Sequence, residues 1–369
     1  MTIWRALVMS AYMAASLPLL TAMPAAADAV SDFYKSTTVN IIVGQAAGGG
    51  YDTYARAMAR HMPRLMPGQP TMIVQNRPGA GSLNAANYVY NVAPQDGSVI
   101  VTMSRGAPML QIMGDEGPQF EAMKFQWLGS INSEDGALYV WHTSKVKTFQ
   151  DAFTMTAYLG SSGPNDSEFY PALANNILGT KFALVRGYKS GPEVRLAIER
   201  GEVEGQSQTW DSVKFASPEL IKEGKIRVIA QIALRPREDM TALGAPMIMD
   251  LITREHVLPQ FTVEEAKTYF KLMLAANQLG RPFAVAPGVP KDRVAALRQA
   301  VMAVAADPAF IAENRKEGRD VDPTSGEEMQ AMFAELSATP KDILNNAKEL
   351  VKFKGVVKQV APEGSSTTP

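Results

Sequence analysis

The chain has 369 residues, of which 46% are hydrophobic and 20% are charged, and its formal net charge is −1. This length exceeds that of a typical single domain and predicts two lobes. A net charge near zero provides no field to attract nucleic acid or an acidic membrane surface, so neither is an expected partner. The absence of cysteine excludes disulfides, a thiolate nucleophile, cysteine metal sites and a lipid-modified N-terminal cysteine.

The first residues have the pattern of an export signal. Arg5 supplies a positive charge, residues 6–23 are apolar, and residues 25–27 are small like those of a cleavage site. We therefore expect cleavage near Ala27 and an exported protein, and an uncleaved membrane anchor is the alternative. No later segment has the roughly 18 consecutive apolar residues of a membrane-spanning helix.

Strand-like and helical patterns alternate along the chain, which predicts α/β architecture with parallel strands. Asp52 and Ser82 are the expected N-caps of the first two helices, and Ser325 caps one near the end. Strands are predicted at residues 39–43, 71–74, 99–103, 138–142, 157–159, 182–185, 227–233 and 283–286. Helices are predicted at residues 52–65, 82–92, 169–178, 192–200 and 263–277, with three more beyond residue 290.

The order of these elements indicates that the chain leaves one lobe and later returns to it. Residues 28–132 together with 236–369 are expected to form the first lobe, and residues 133–235 the second. Such a chain fits two lobes joined by crossing strands, with a cleft between them.

A glycine-rich loop follows the first predicted strand. Residues 44–52 read Gly-Gln-Ala-Ala-Gly-Gly-Gly-Tyr-Asp, and three consecutive glycines permit positive φ and close approach of a ligand. The free N–H groups of the next helix attract an anion. Neither G-x-G-x-x-G nor a lysine after the glycines is present, so this is no nucleotide fingerprint. A tight strand-to-helix turn is the alternative interpretation.

The second predicted strand is followed by a similar loop, residues 76–82, Asn-Arg-Pro-Gly-Ala-Gly-Ser. Adjacent parallel strands place both loops at the carboxyl edge of the sheet, where ligands bind. Two helix N-termini then converge on one carboxylate. Arg77 either adds charge there or is a surface or interlobe residue.

Arginine is the best candidate for a charged pocket residue. Arg105, after the third strand, can form a bidentate pair with the second carboxylate of a dicarboxylate, or it faces solvent near the rim. Arg281 is a weaker candidate, because it can serve the hinge instead.

Several motifs occur in a characteristic order: residues 46–56 (Ala-Ala-Gly-Gly-Gly-x-Asp-x-x-Ala-Arg), 74–81, 93–97, 160–164, 187–191, 286–290 and 307–308. This ordered set resembles the tripartite tricarboxylate transporter receptors of the TctC or Bug type. The resemblance implies a periplasmic protein of two α/β lobes that closes on its ligand like a flytrap. It implies delivery to a permease of large and small membrane subunits, by a monomer without cofactor or metal.

The resemblance also implies where the ligand binds. One carboxylate is held by the backbone of the two glycine loops, and Ser161 and Ser162 of the second lobe contact the distal part of the ligand. The carboxylate positions are Ala47, Gly48, Gly49, Asp52, Gly79, Ala80 and Gly81.

Three positions depart from the family pattern. The family has an aromatic residue at Gln45, a small residue at Tyr51, and an Asp in the segment that contains Gln208. These changes indicate a pocket reshaped for another ligand, and the missing acidic side chain argues against an amino acid. Trp210 either stacks on an aromatic ring of the ligand or fills the core.

The sequence contains few groups suited to catalysis. Its three histidines, His61, His142 and His256, have no partner at metal-ligand spacing, and there is no G-x-S-x-G elbow. We therefore expect a receptor for a small organic carboxylate with no catalytic or metal site. A ligand sensor that signals to a membrane partner, or a secreted α/β enzyme, are the alternatives.

Overall fold

The computed structural model describes residues 23–360, with side chains from residue 29 onward. The predicted signal peptide lies outside the described residues up to position 22. Helix α1 (Met23–Lys35) begins the described part and runs through the predicted cleavage site. Cleavage near Ala27 therefore stays a prediction.

Two mixed six-stranded sheets form the framework. The first has the order β11-β4-β10-β3-β1-β2, in which β1 pairs parallel with β2 and β3, and β10 runs antiparallel to β3 and β4. Its strands are β1 (Thr38–Val43), β2 (Thr71–Asn76), β3 (Val99–Thr102), β4 (Gln126–Ser130), β10 (Pro282–Val285) and β11 (Thr324–Ser325).

The second sheet has the order β12-β7-β6-β8-β5-β9, with β12, β7, β6 and β8 parallel and β5 antiparallel to both of its neighbours. Its strands are β5 (Gly136–Trp141), β6 (Ala157–Ser161), β7 (Phe182–Arg186), β8 (Gly205–Thr209), β9 (Ile226–Ile232) and β12 (Val357–Gln359). The β-branched runs of β1 and β3 are largely buried, as expected for parallel strands covered on both faces.

Helices connect and cover these strands. They are α2 (Gly50–His61), α3 (Leu83–Asn91), α4 (Gly106–Ile112), α5 (Asp166–Leu173), α6 (Gly191–Glu199), α7 (Trp210–Ala216), α8 (Pro218–Lys222), α9 (Glu238–Ala242), α10 (Val263–Ala275), α11 (Lys291–Ala305), α12 (Pro308–Lys316), α13 (Gly326–Ser337) and α14 (Lys341–Leu350). Within residues 23–360 no single helix is long and apolar enough to cross a membrane. In the same part of the chain, only α11 and α12 taken together have the length and apolar composition of a membrane span, and they are bent by 57° at their junction.

The observed helix N-caps agree only in part with those predicted from the sequence. Ser325 forms the predicted cap, in a reciprocal pair with Glu328. The prediction for Asp52 is wrong, because α2 begins two residues earlier and Gly49 is its N-cap. Ser82 precedes α3 but makes no cap hydrogen bond, since its hydroxyl is used elsewhere.

The chain crosses between the sheets three times, at residues 131–135 between β4 and β5, at residues 233–281 between β9 and β10, and at residues 326–356 between β11 and β12, and the two sheets define two lobes. The predicted fold class is confirmed. The exact lobe boundaries stay a prediction, and β12 lies in the second sheet although residues 236–369 were expected in the first lobe. The largest apolar cluster spans both lobes and includes Met109, Phe125, Leu138, Phe169 and Phe270.

Candidate functional site

The two sheets face each other across a cleft bordered by the carboxyl ends of their parallel strands. Strands β1, β2 and β3 lead into loops on one side, and β6, β7 and β8 on the other. The cleft holds a small cavity of about 70 Å³ that is partly open to solvent. Its lining residues are Gln45, Gly49, Gly50, Tyr51, Ser104, Ser162, Asn165, Asp166, Ser167, Ser190, Gly191, Pro192, Gln206, Ser207, Gln208, Thr209, Ser212 and Arg281.

Three helices of eight or more residues present their first turns to this cavity. Helix α2 contributes Gly49 and Gly50, α5 contributes Asp166, and α6 contributes Gly191. The N–H groups of a first turn lack partners within the helix and carry the positive end of its dipole. Helix ends from both lobes therefore give the cavity a positive potential that suits an anion.

A buried carboxylate holds the first glycine loop in shape. Oδ2 of Asp52 accepts hydrogen bonds from the Gly48 N–H and from Arg56 Nε, both at 2.9 Å, and Oδ1 accepts one from Asn76 Nδ2 at 2.8 Å. Burial alone would raise the pKa of Asp52, but the hydrogen bonds from Arg56, Gly48 and Asn76 outweigh it and hold that pKa below its usual value. Asp52 thus positions the loop, and with Ala47 and Gly48 it lies outside the cavity wall.

The second glycine loop lies outside the wall as well. Gly79, Ala80, Gly81 and Ser82 have φ values of 125°, 47°, 63° and 82°, a region that favours glycine. A Cβ atom on Gly81 would lie 2.6 Å from the carbonyl oxygen of Pro164 in the second lobe. The two lobes therefore touch at this loop.

The Ser82 hydroxyl ties three strand ends together. Its Oγ donates to the Gly44 carbonyl at 3.1 Å and accepts from the Ser104 N–H at 3.0 Å and from Gln45 Nε2 at 3.2 Å. A Cβ on Gly44 would lie 2.5 Å from the Ser82 Cβ, so only glycine fits there. Because Gln45 and Ser104 line the cavity, Ser82 positions two residues of its wall.

The second lobe supplies a wall of hydroxyl and amide groups. Ser207 is 1% exposed, and its Oγ has no hydrogen-bond partner among the described residues although the residue lines the cavity. Gln206 donates through Nε2 to Gln208 Oε1 at 2.5 Å, and a Cβ on Gly191 would lie 2.3 Å from the Gln208 amide nitrogen. An unpaired buried hydroxyl costs free energy that a polar group of a ligand would recover.

Arg281, and not Arg105, is the cationic side chain in the wall. Its guanidinium lies 4.2 Å from the centre of the Tyr51 ring, and Nη2 donates to Thr209 Oγ1 at 3.1 Å and to Ser212 Oγ at 2.8 Å. The Nε of Arg281 is buried and has no partner among the described residues. The sequence ranked these two arginines in the opposite order.

Arg105 is buried behind the wall, because two acidic side chains neutralise it there. It is 1% exposed and pairs with Glu134 at 3.3 Å and with Asp166 of the second lobe. These acids occupy the place that the sequence assigned to a second ligand carboxylate. Arg77 lies at the surface, with its guanidinium 4.2 Å from the centre of the Tyr88 ring.

Ser161 and Trp210 also lie behind the wall. Ser161 is buried, and its hydroxyl donates to Glu168 Oε1 at 2.5 Å. Trp210 is buried in an apolar cluster of the second lobe, and its Nε1 donates to Asp239 Oδ2 at 2.8 Å. Of the two interpretations of Trp210, the structure favours core filling.

The cavity thus brings together only part of the predicted set. Gln45, Gly49, Tyr51, Ser162 and Gln208 line it. Twelve of the lining residues were not assigned to the site from the sequence: Gly50, Ser104, Asn165, Asp166, Ser167, Ser190, Gly191, Pro192, Gln206, Ser207, Thr209 and Ser212. Most of these lie at or just after the carboxyl end of a parallel strand, and that position is the sequence signal that could have identified them. In the described part of the chain, no group of three or more His, Asp or Glu side chains is placed to hold a metal ion.

Comparison with known sequences gives partial matches. No family model matches the chain. A UPF0065 protein in the TAR-I ttuE-ttuC' intergenic region of Agrobacterium vitis is 32% identical over 184 residues, which cover 47% of this chain and 52% of that protein. The chain therefore spans about half the length of this curated relative.

Comparison with solved structures covers most of the chain. The periplasmic binding protein BugD matches with a TM-score of 0.65 at 20% identity, over 85% of this chain and 98% of BugD. The R. palustris protein Rpa4515, solved with adipate, matches with a TM-score of 0.65 at 18% identity, over 85% of this chain and 97% of that one. MatC from Rhodopseudomonas palustris, with bound malate, matches with a TM-score of 0.62 at 18% identity, over 86% of this chain and 99% of MatC. The two-lobed periplasmic-binding-protein fold is confirmed, and with it the similarity to TctC and Bug-type proteins that the motifs indicated.

Proposed function

We propose that this protein is a periplasmic receptor that captures a small organic carboxylate between its lobes and delivers it to a tripartite tricarboxylate-type membrane transporter. The observation that supports this most directly is the convergence of three helix N-termini from both lobes on one cavity. Backbone N–H groups bind a carboxylate without a cluster of basic side chains, in keeping with a chain whose net charge is −1.

The similar structures support the same proposal. Rpa4515 was solved with adipate and MatC with malate, and both ligands are small carboxylates. Delivery to a permease rests on the resemblance of the ordered glycine-loop motifs to the TctC and Bug-type receptors. A sensor would use the same cleft with a different membrane partner.

Ligand binding is tested with a matched pair of serine variants. Ser207 and Ser217 are both buried, at 1% and 4% exposure, and both hydroxyls lack a partner among the described residues. Only Ser207 lines the cavity. A carboxylate that raises the melting temperature of the wild type is first identified from a panel of mono- and dicarboxylates, and its affinity is then measured by calorimetry.

We expect Ser207→Ala to weaken binding by roughly 10- to 100-fold, since a hydrogen bond to a charged group contributes about 1.5–3 kcal/mol. Ser217→Ala should bind like the wild type. A panel in which no carboxylate binds, or equal affinities for the two variants, would contradict the proposed site. Delivery is tested by uptake of the same carboxylate in cells that lack this protein, with wild type and Ser207→Ala supplied in turn.

A further inference from the structure

The charged side chains in the cavity wall, among the described residues, are Arg281 and Asp166. Each has its counter-ion behind the wall. The Glu134 side chain is 0% exposed and lies against both Arg281 and Arg105, while Arg105 pairs with Asp166. The four charges cancel as a group, but a ligand in the cavity meets one positive and one negative side chain.

The positive side chain adjoins the first glycine loop. A Cβ on Gly50 would lie 2.5 Å from Nη2 of Arg281, and the Arg281 guanidinium covers the Tyr51 ring. The N-terminal turn of α2 is therefore next to Arg281. Together these groups form the end of the cavity that attracts a carboxylate.

The negative side chain belongs to the second lobe. Asp166 is the first residue of α5, and its Oδ2 accepts a hydrogen bond from Arg105 Nη2. Its Oδ1 receives no hydrogen bond from another residue in the described part of the chain. One carboxylate oxygen in the wall is therefore available to a donor group of the ligand.

We propose that the cavity selects a carboxylate whose distal end carries a hydrogen-bond donor, either a hydroxyl or an ammonium group, and disfavours a second carboxylate. This inference rests on the proposed function and names its ligand class. A distal donor would bind Oδ1 of Asp166, whereas a distal carboxylate would meet a like charge in a partly desolvated site. Asp166 thereby supplies the acidic group that the sequence lacks at Gln208.

The test uses three four-carbon probes that have a carboxylate at one end and differ at the other. The distal group is a second carboxylate in succinate, a hydroxyl in 4-hydroxybutyrate and an ammonium in 4-aminobutyrate. Calorimetry on the wild type should show at least one of the two donor-bearing probes binding about tenfold or more tightly than succinate. Tighter binding of 4-aminobutyrate identifies ammonium as the preferred donor, and tighter binding of 4-hydroxybutyrate identifies a neutral hydroxyl. Preference for succinate would overturn the proposal.

The variant Asp166→Asn keeps the size of the side chain and removes its charge. Succinate should then gain about tenfold or more in affinity relative to 4-aminobutyrate. The control Asp135→Asn removes the same charge from a residue outside the cavity wall and should leave that ratio unchanged. A ratio in Asp166→Asn equal to that of the wild type would overturn the proposal.

The two proposals fail in distinguishable ways. If other carboxylates bind and none of the three probes does, the ligand class is wrong and the receptor function stands. If no carboxylate binds at all, the receptor function fails together with the inference. Circular dichroism and urea denaturation of Asp166→Asn show whether the variant is folded when its affinities are measured.

Discussion

Replacing Gly81 with alanine tests whether the second glycine loop controls closure of the cleft. Gly81 has φ 63° and ψ 32°, where an L-residue costs about 1–2 kcal/mol. The added Cβ would also lie 2.6 Å from the carbonyl oxygen and 3.1 Å from the carbonyl carbon of Pro164. These are backbone atoms of the opposite lobe, so the conflict is relieved only when the lobes separate.

The two costs appear in different measurements. The φ cost lowers the free energy of unfolding, whereas the contact with Pro164 destabilises the closed form that holds the ligand. Overpacking of this kind costs about 1–3 kcal/mol, which corresponds to a roughly 5- to 150-fold loss of affinity. We therefore expect Gly81→Ala to bind a carboxylate weakly while it loses only about 1–2 kcal/mol of stability in urea.

Gly114 provides the matched control. Its φ is 73°, and a Cβ there would meet no atom within 4 Å. Gly114→Ala should lose a similar stability in urea and keep the affinity of the wild type in calorimetry. If Gly81→Ala and Gly114→Ala bind the ligand equally well, the contact with Pro164 does not limit closure and this reasoning is refuted.

Two further predictions concern stability. Ser82→Ala leaves the buried Ser104 N–H without an acceptor and should lower the free energy of unfolding in urea by about 1–3 kcal/mol, and no measurable loss would contradict the role of this hydroxyl. Burial and the charge of Glu134 raise the pKa of Asp211 to about 6, although Arg237 and Lys214 oppose the shift. A carboxyl whose pKa is higher in the folded state stabilises the protein below its unfolded pKa, and that contribution is lost as pH rises through about 6. In urea titrations, the wild type should therefore lose stability relative to Asp211→Asn between about pH 4 and 6. Parallel pH profiles of the free energy of unfolding for the two proteins would contradict this contribution of Asp211.

The sequence predicted the α/β framework because strand and helix periodicity are local properties. The β-branched run of β1 and the glycines after it lie within one short segment, so their conformation follows from neighbouring residues. The same holds for Ser325, whose cap partner Glu328 is three residues away. Gly49 as the N-cap of α2 was not predicted, because Asp52, three residues later, is also a residue type that N-caps prefer.

The ranking of the two arginines was not predictable from local patterns. Arg105 is withdrawn from the cavity because Glu134 and Asp166, which lie far from it in sequence, supply its counter-ions. Arg281 reaches the wall because Thr209 and Ser212 of the second lobe hold its guanidinium there. Such partners are brought together only by the pairing of distant strands.

The hydroxyl wall of the second lobe was missed for a related reason. Ser207 lies within a polar segment that has no apolar pattern, yet it forms part of β8 in the interior of the second sheet. Buried polar strands carry no periodic apolar pattern and escape sequence analysis. Their burial beside a cavity is itself a sign of ligand binding, because the unpaired groups would otherwise only destabilise the fold.

Strand β12 has a consequence for biogenesis. It pairs in parallel with β7, whose residues are synthesised far earlier, and it closes that edge of the second sheet. Until residues 357–359 are made and docked, the outer edge of β7 offers unpaired N–H and carbonyl groups to any other extended chain. Formation of the second lobe is thus completed late, and chains that stall before this point are the ones most exposed to aggregation and to proteases.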